Sequence, residues 1–89
     1  MKRRSKLDIM YDMLNATISK GEKIKPTHLL YKSNLSHVKM KEYLVSLLEA
    51  GLIEEIFEKE NKMYKITDKG IKFVNEYRNI KKFEESFGI

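Results

Sequence analysis

Apolar residues recur at three- and four-residue steps at Leu7, Met10, Tyr11, Leu14 and Ile18, behind a Ser5/Asp8 pair spaced as a capping box. They predict a first helix over residues 6–20, ended by Gly21. Ile9 and Met13 lie on a flank of that stripe, so the apolar arc is wider than one contact surface requires, and both are candidates for touching a partner chain. A short extended piece follows around Ile24. Pro26 stands where a proline opens a helix, because its missing N–H is not needed there, which gives a second helix over 26–33. Ser33-Asn34-Leu35-Ser36 then breaks the pattern with side chains that compete for backbone hydrogen bonds. Ser36 is placed to cap a third helix running to Ala50, and Gly51 supplies the left-handed residue that terminates it.

Leu52–Phe57 and Met63–Thr67 are short runs with β-branched or aromatic residues, separated by the polar Glu58-Lys59-Glu60-Asn61-Lys62. They predict a β-hairpin with a five-residue charged tip. Thr67-Asp68 opens a last helix to about residue 86, with Ile71, Phe73, Val74, Tyr77, Ile80, Phe83 and Phe87 as its apolar positions. No repeat, linker or low-complexity tract divides the 89 residues, so the expectation is one mainly α domain with a small hairpin, ordered helix, strand, helix, helix, strand, strand, helix. Two helices at a tight turn followed directly by a hairpin form a helix-turn-helix with a β wing.

The third helix divides into two sides at 100° per residue. Met40, Tyr43, Leu44, Leu47 and Leu48 make the core side, and Val38, Lys39, Glu42 and Ser46 the outward one. With Ser36, His37 and Lys41 near its start, the outward side offers donors, cations and a methyl-rich residue, the chemistry that phosphates and major-groove base edges accept. Lys39 and Lys41 are the phosphate or guanine candidates. Val38 has two readings, contact with a thymine methyl or partial packing on the second helix. No arginine lies on this face, which removes bidentate guanine readout and points to weak selectivity. Lys25, Thr27, His28 and Lys32 around the second helix, and Lys59 and Lys62 on the wing, are secondary backbone-contact candidates. Lys2, Arg3, Arg4 and Lys6 suggest a flexible basic arm or plain solubilising charge.

Charge sharpens this picture. The chain carries 18 basic and 13 acidic residues. Residues 1–45 hold ten Lys/Arg against four Asp/Glu, a surplus of six, whereas residues 46–89 hold eight against nine. The positive field therefore belongs to the half that carries the helix-turn-helix, which fits a polyanionic partner. Glu54, Glu55, Glu58 and Glu60 argue against the wing entering a groove. The absence of cysteine removes a disulfide framework and thiolate metal sites and favours an intracellular, cytoplasmic setting. No signal peptide or membrane anchor is visible. His28 and His37 lack partners at metal-ligand spacing. No Gly-rich phosphate loop or nucleophile elbow appears either, so the expectation is a non-enzymatic protein with no cofactor. The five tyrosines, Tyr11, Tyr31, Tyr43, Tyr64 and Tyr77, read as core or interface and not as base-stacking platforms.

Leu47-Leu48-Glu49-Ala50-Gly51-Leu52-Ile53 and Tyr64-Lys65-Ile66-Thr67-Asp68-Lys69-Gly70 resemble the two boundary motifs of prokaryotic winged-helix transcription regulators. Pro26 to Ser36, with the Lys-Arg-Arg-Ser start, looks more narrowly like the archaeal winged-helix DNA-binding proteins of about ten kilodaltons. The resemblance implies double-stranded DNA as partner, a nucleoid-associated regulator or chromatin protein, and a homodimer whose last helices, residues 68–89, pair as an antiparallel coiled coil. Because Ile71 and Val74 are needed for the chain's own core, Phe73, Tyr77, Ile80, Phe83 and Phe87 are left as dimer candidates. A protein-interaction module without direct DNA binding is the alternative, and RNA binding a second one.

Overall fold

The computed structural model describes residues 4–89. Its elements are α1 (Lys6–Ser19), β1 (Lys23–Ile24), α2 (Pro26–Ser33), α3 (His37–Glu49), β2 (Ile53–Glu58), β3 (Asn61–Ile66) and α4 (Asp68–Phe87). This is the winged helix-turn-helix order expected from the sequence. Most boundaries follow from caps. Ser5 and Asp8 make the reciprocal box, the Asp8 N–H donating to Ser5 Oγ at 3.1 Å and the Ser5 N–H to Asp8 Oδ2 at 2.9 Å. Pro26 occupies the first turn of α2, and Ser36 accepts the Lys39 N–H at 3.2 Å.

At the end of α3, Gly51 adopts φ 74°, a left-handed conformation with little penalty only for glycine. Its N–H reaches the Leu48 carbonyl at 3.1 Å and that of Leu52 reaches Leu47 at 3.0 Å, a Schellman ending that reverses the chain into the wing. The three strands form an antiparallel sheet in the order β1-β3-β2, with Ile53 opposite Ile66 and Glu58 opposite Asn61. The hairpin loop is thus two residues, not the five expected. Lys59 and Glu60 both take positive φ, 48° and 69°, the primed geometry whose twist matches that of the flanking strands and lets pairing run to the tip.

The core collects Met10, Met13 and Leu14 from α1, Leu29 from α2, Met40, Leu44 and Leu47 from α3, Ile24, Ile53, Tyr64 and Ile66 from the sheet, and Val74 from α4. The buried hydroxyls of Thr17 and Ser33 donate to the Met13 and Leu29 carbonyls at 3.0 and 2.6 Å, so neither is orphaned. Two expectations for α1 are overturned. Met13 is fully buried in the chain's own core and is no interface residue, whereas Leu7, assigned to the core stripe, is exposed. The cause is packing on several sides: α1 meets α2, α3, α4 and the sheet, which centres its buried arc on Met10, Met13, Leu14 and Thr17.

Leu7 and Tyr11 fall on the flank turned toward α4. There Tyr77 donates to Asp8 Oδ1 and stacks on Tyr11 with ring centroids 4.2 Å apart, and Arg78 donates to Tyr11 Oη at 3.0 Å and Asn15 Oδ1 at 2.7 Å. The two helices run antiparallel. Tyr77, a dimer candidate from the sequence, is thereby engaged within the chain. Beyond this clasp α4 projects, and the molecule measures 48 × 27 × 22 Å.

Two outcomes follow. Gly70 sits where a Cβ would overlap the Leu52 carbonyl oxygen and lie 2.6 Å from Ile66 Cγ1. Gly70→Ala should therefore lower stability by about 3 kcal/mol or more, read as a reduced urea midpoint. The clasp also titrates. The hydrogen bond from Tyr77, then that from the Ser5 N–H, lowers the Asp8 pKa from 3.8 to about 2. Burial, then the bond to Asp8, raises that of Tyr77 above its ordinary 10.0. A carboxyl with a depressed folded-state pKa contributes stability above its unfolded value and loses it as pH falls, here from 3.8 toward about 2. The phenol's contribution is present below pH 10.0 and fades above it. In Tyr77→Phe, thermal melts across the acid range should show a shallower loss of stability than wild type.

Candidate nucleic-acid interface

Asn34, left-handed at φ 54°, ends α2, and only Leu35 separates it from the Ser36 cap of α3. The turn is pinned from a distance. The Arg4 guanidinium donates to Asp12 Oδ2 at 2.9 Å, the Ser33 carbonyl at 3.1 Å and the Asn34 carbonyl at 3.4 Å. A cation on the last carbonyls of α2 complements the negative end of that helix and ties the turn to α1. Arg4 is therefore a structural clamp and not part of a flexible arm. Lys2 and Arg3, the other arm candidates, lie outside the described residues, and Lys6 is exposed on the first turn of α1.

With the core side of α3 buried, its opposite side stands in solvent. Ser36, His37, Val38, Lys39, Lys41 and Glu42 are all exposed. Val38 is 66% exposed, which excludes its reading as a packing residue against α2. The outward stripe is rotated from that expected. Ser46 is half-buried and turns its hydroxyl to the Glu42 carbonyl at 3.3 Å, while Val45, not singled out from the sequence, is 52% exposed. The signal was present: Val38, Glu42 and Val45 are four and then three residues apart, one helical face. Lys39 pairs with Glu42 at 3.5 Å, and among the described residues Lys41 makes no ion pair.

On α2, Thr27, His28 and Lys32 are exposed, and Lys25 just precedes them at the N-cap. Tyr31 corrects the reading of the tyrosines. It is 84% exposed, beside Thr27, Leu30, Asn34 and Leu35 in a shallow groove at the turn. The wing is less repulsive toward anions than its carboxylates suggest, because Lys23 pairs with Glu58, and Lys62 with Glu55 at 3.8 Å. Pairing Glu58 with Asn61 also puts Phe57 opposite Lys62 on the sheet face that carries Ile53 and Ile66, and Phe57 is exposed there. The geometry thus brings together the α2 and α3 candidates around one turn, with Lys62 at the end of the adjoining hairpin.

The dimer candidates scatter. Ile9 and Phe73 are half-buried against the core, Tyr77 is clasped, and Ile80, Phe83 and Phe87 remain exposed on the projecting end of α4, the last two rings 4.7 Å apart. Among the described residues no helix is long and apolar enough to cross a membrane, and no three His, Cys, Asp or Glu side chains gather as metal ligands.

Solved structures of similar shape place this geometry. Sso10a-2 from Sulfolobus solfataricus, described as a DNA-binding protein, superposes with a TM-score of 0.80 at 26% identity, over 94% of this chain and 85% of that one. F93 from STIV, described as a winged-helix DNA-binding protein, gives 0.71 at 19% identity, over 83% and 85% of the two chains. The oxidized form of MarR from E. coli gives 0.68 at 17% identity, over 78% of this chain and half of its own. No curated protein sequence matches significantly. A family profile described as winged helix-turn-helix matches residues 3–85, spanning the α2–α3 turn and the β2–β3 hairpin, and the chain accordingly belongs to the winged helix-turn-helix family.

Proposed function

We propose that this protein binds double-stranded DNA as a homodimer, inserting α3 into the major groove, and acts as a transcription regulator or chromatin-associated protein of the cytoplasmic nucleoid, without catalytic activity. The observation that carries the reading is the unobstructed outward side of α3, where His37, Val38, Lys39, Lys41 and Glu42 all stand in solvent. Lys25, Thr27 and Lys32 on the neighbouring turn, and Lys62 on the wing, supply cations and donors for the phosphate backbone. The charge surplus of residues 1–45 steers a polyanion to this side. Likeness to Sso10a-2 at 26% identity supports the same partner. The dimer places Ile80, Phe83 and Phe87 of two α4 helices against each other and covers the apolar surface that the monomer leaves in water. Two α3 helices related by the twofold would then meet successive major grooves about 34 Å apart.

Gel-shift titration with duplex DNA at two salt concentrations tests the first part. Lys41→Ala should weaken binding and reduce the slope of log affinity against log salt by about one. An unchanged slope removes α3 from the interface, and no binding even at low salt hands the chain to the protein-interaction reading. Sedimentation tests the second. Wild type should run at twice the chain mass, and Phe83→Glu with Phe87→Glu as a monomer with an unchanged circular dichroism spectrum, since both rings, 58% and 68% exposed, lie outside the core.

A further inference from the structure

Two side chains of α3 have no apolar role inside the monomer. Met40, Leu44 and Leu47 are buried and Leu48 half-buried, yet Val38 and Val45 both stand in solvent. β-Branched residues are also mediocre helix formers, so neither core packing nor helix propensity explains a valine at these positions. They are not one apolar patch. Glu42 lies between them on the same stripe, tied to Lys39 at 3.5 Å, and Lys41 flanks the stripe one residue earlier. A protein partner fits a contiguous apolar area. Two isolated methyl-bearing points in a polar, cation-flanked strip fit a ligand with isolated methyl groups and an anionic frame.

The major groove of DNA is such a ligand. Each A·T pair presents there the C5 methyl of thymine, which hydrogen-bonding side chains do not recognise and apolar ones do. Seven residues of helix, two turns, separate Val38 from Val45, about 10.5 Å along the axis, enough for a helix in the groove to place the two valines on different base pairs. Neither α2 nor α3 contains arginine, so the fork that most often reads guanine is missing from this surface. We infer that Val38 and Val45 are specificity-determining residues that contact the thymine methyl groups of two different base pairs, so that the protein prefers A·T pairs at those two positions. This rests on the DNA-binding reading above and adds to it which chemical group is selected and by which residues.

Deoxyuridine in place of thymidine removes only the methyl and leaves phosphates and hydrogen-bonding edges intact. Wild-type protein is titrated with an A·T-rich duplex and with the same duplex carrying deoxyuridine throughout. The thymine duplex should bind more tightly by about fourfold for each methyl contact, hence about fifteenfold for the two valines of one half-site and about two hundredfold for a dimer on both. The variant Val38→Ala with Val45→Ala should bind both duplexes alike, near the wild-type affinity for the uracil duplex. A G·C duplex should gain affinity for wild type when its cytosines carry a 5-methyl group, which separates methyl contact from groove shape. Equal wild-type affinity for thymine and uracil duplexes overturns the inference while leaving DNA binding intact, as does full discrimination by the valine variant. Failure to bind any duplex at low salt defeats the DNA-binding reading itself, and this inference with it.

Discussion

The end of α3, the root of the wing and the start of α4 are held in one knot of hydrogen bonds to backbone carbonyls. The last carbonyls of a helix have no partner within it and must find one elsewhere. The Schellman ending satisfies those of α3, and the carbonyls just past it find partners at the start of α4: Lys69 Nζ donates to Ala50 at 2.7 Å, Thr67 Oγ1 to Gly51 at 2.6 Å and the Thr67 N–H to Leu52 at 3.1 Å. Gly70, with no Cβ, lets the α4 backbone close on that strand, and the Thr67 hydroxyl also accepts the Gly70 N–H at 3.0 Å. One small patch thus sets the direction of α3 and of the helix that projects from the domain. Their relative orientation is therefore tied to the same few hydrogen bonds.

From this knot the chain makes a division of surfaces. The buried side of α3 carries much of the core, so its other side is turned to water by necessity and becomes available for a partner. Arg4 fixes the approach from the opposite end by bridging α1 to the end of α2. The carboxylates of the wing are partly answered by Lys23 and Lys62, and on α3 Lys39 pairs with Glu42, which leaves Lys41 as the free lysine of that face among the described residues. Surface ion pairs of this kind contribute little to stability, about 0–1 kcal/mol each. Their effect is on where positive charge remains unspent.

The last helix is also divided. Its middle is bound to α1 through Tyr77, Arg78 and Lys81, by polar and aromatic contacts in place of an apolar seam. Its second half offers Ile80, Phe83 and Phe87 to solvent. Tyr77 and Lys81 mark the changeover, since the Tyr77 ring stacks on Tyr11 and Lys81 reaches Asp8 at 3.8 Å, while Ile80, Phe83 and Phe87 stay in solvent. The clasp accounts for a single helix serving the domain at one end and leaving apolar residues in solvent at the other.

What the amino-acid sequence determined by itself was local. Ser5 with Asp8, Pro26, Ser36, Gly51 and Thr67 act on backbone groups within a turn of themselves, so the order of elements, most of their limits and the outward presentation of Lys39, Lys41 and Glu42 were readable without coordinates. Distant contacts decided the rest. Met13 and Leu7 are both apolar residues of one helix, and which is buried depends on how many neighbours surround that helix, a count that periodicity does not contain. Arg4 became a clamp only because Ser33 and Asn34 arrive beside it, and Tyr31 stayed exposed because the turn carries it away from the core. Capping and chain reversal are short-range and leave a signature in neighbouring residues; burial is a sum over elements far apart in the chain, and only the assembled fold computes it.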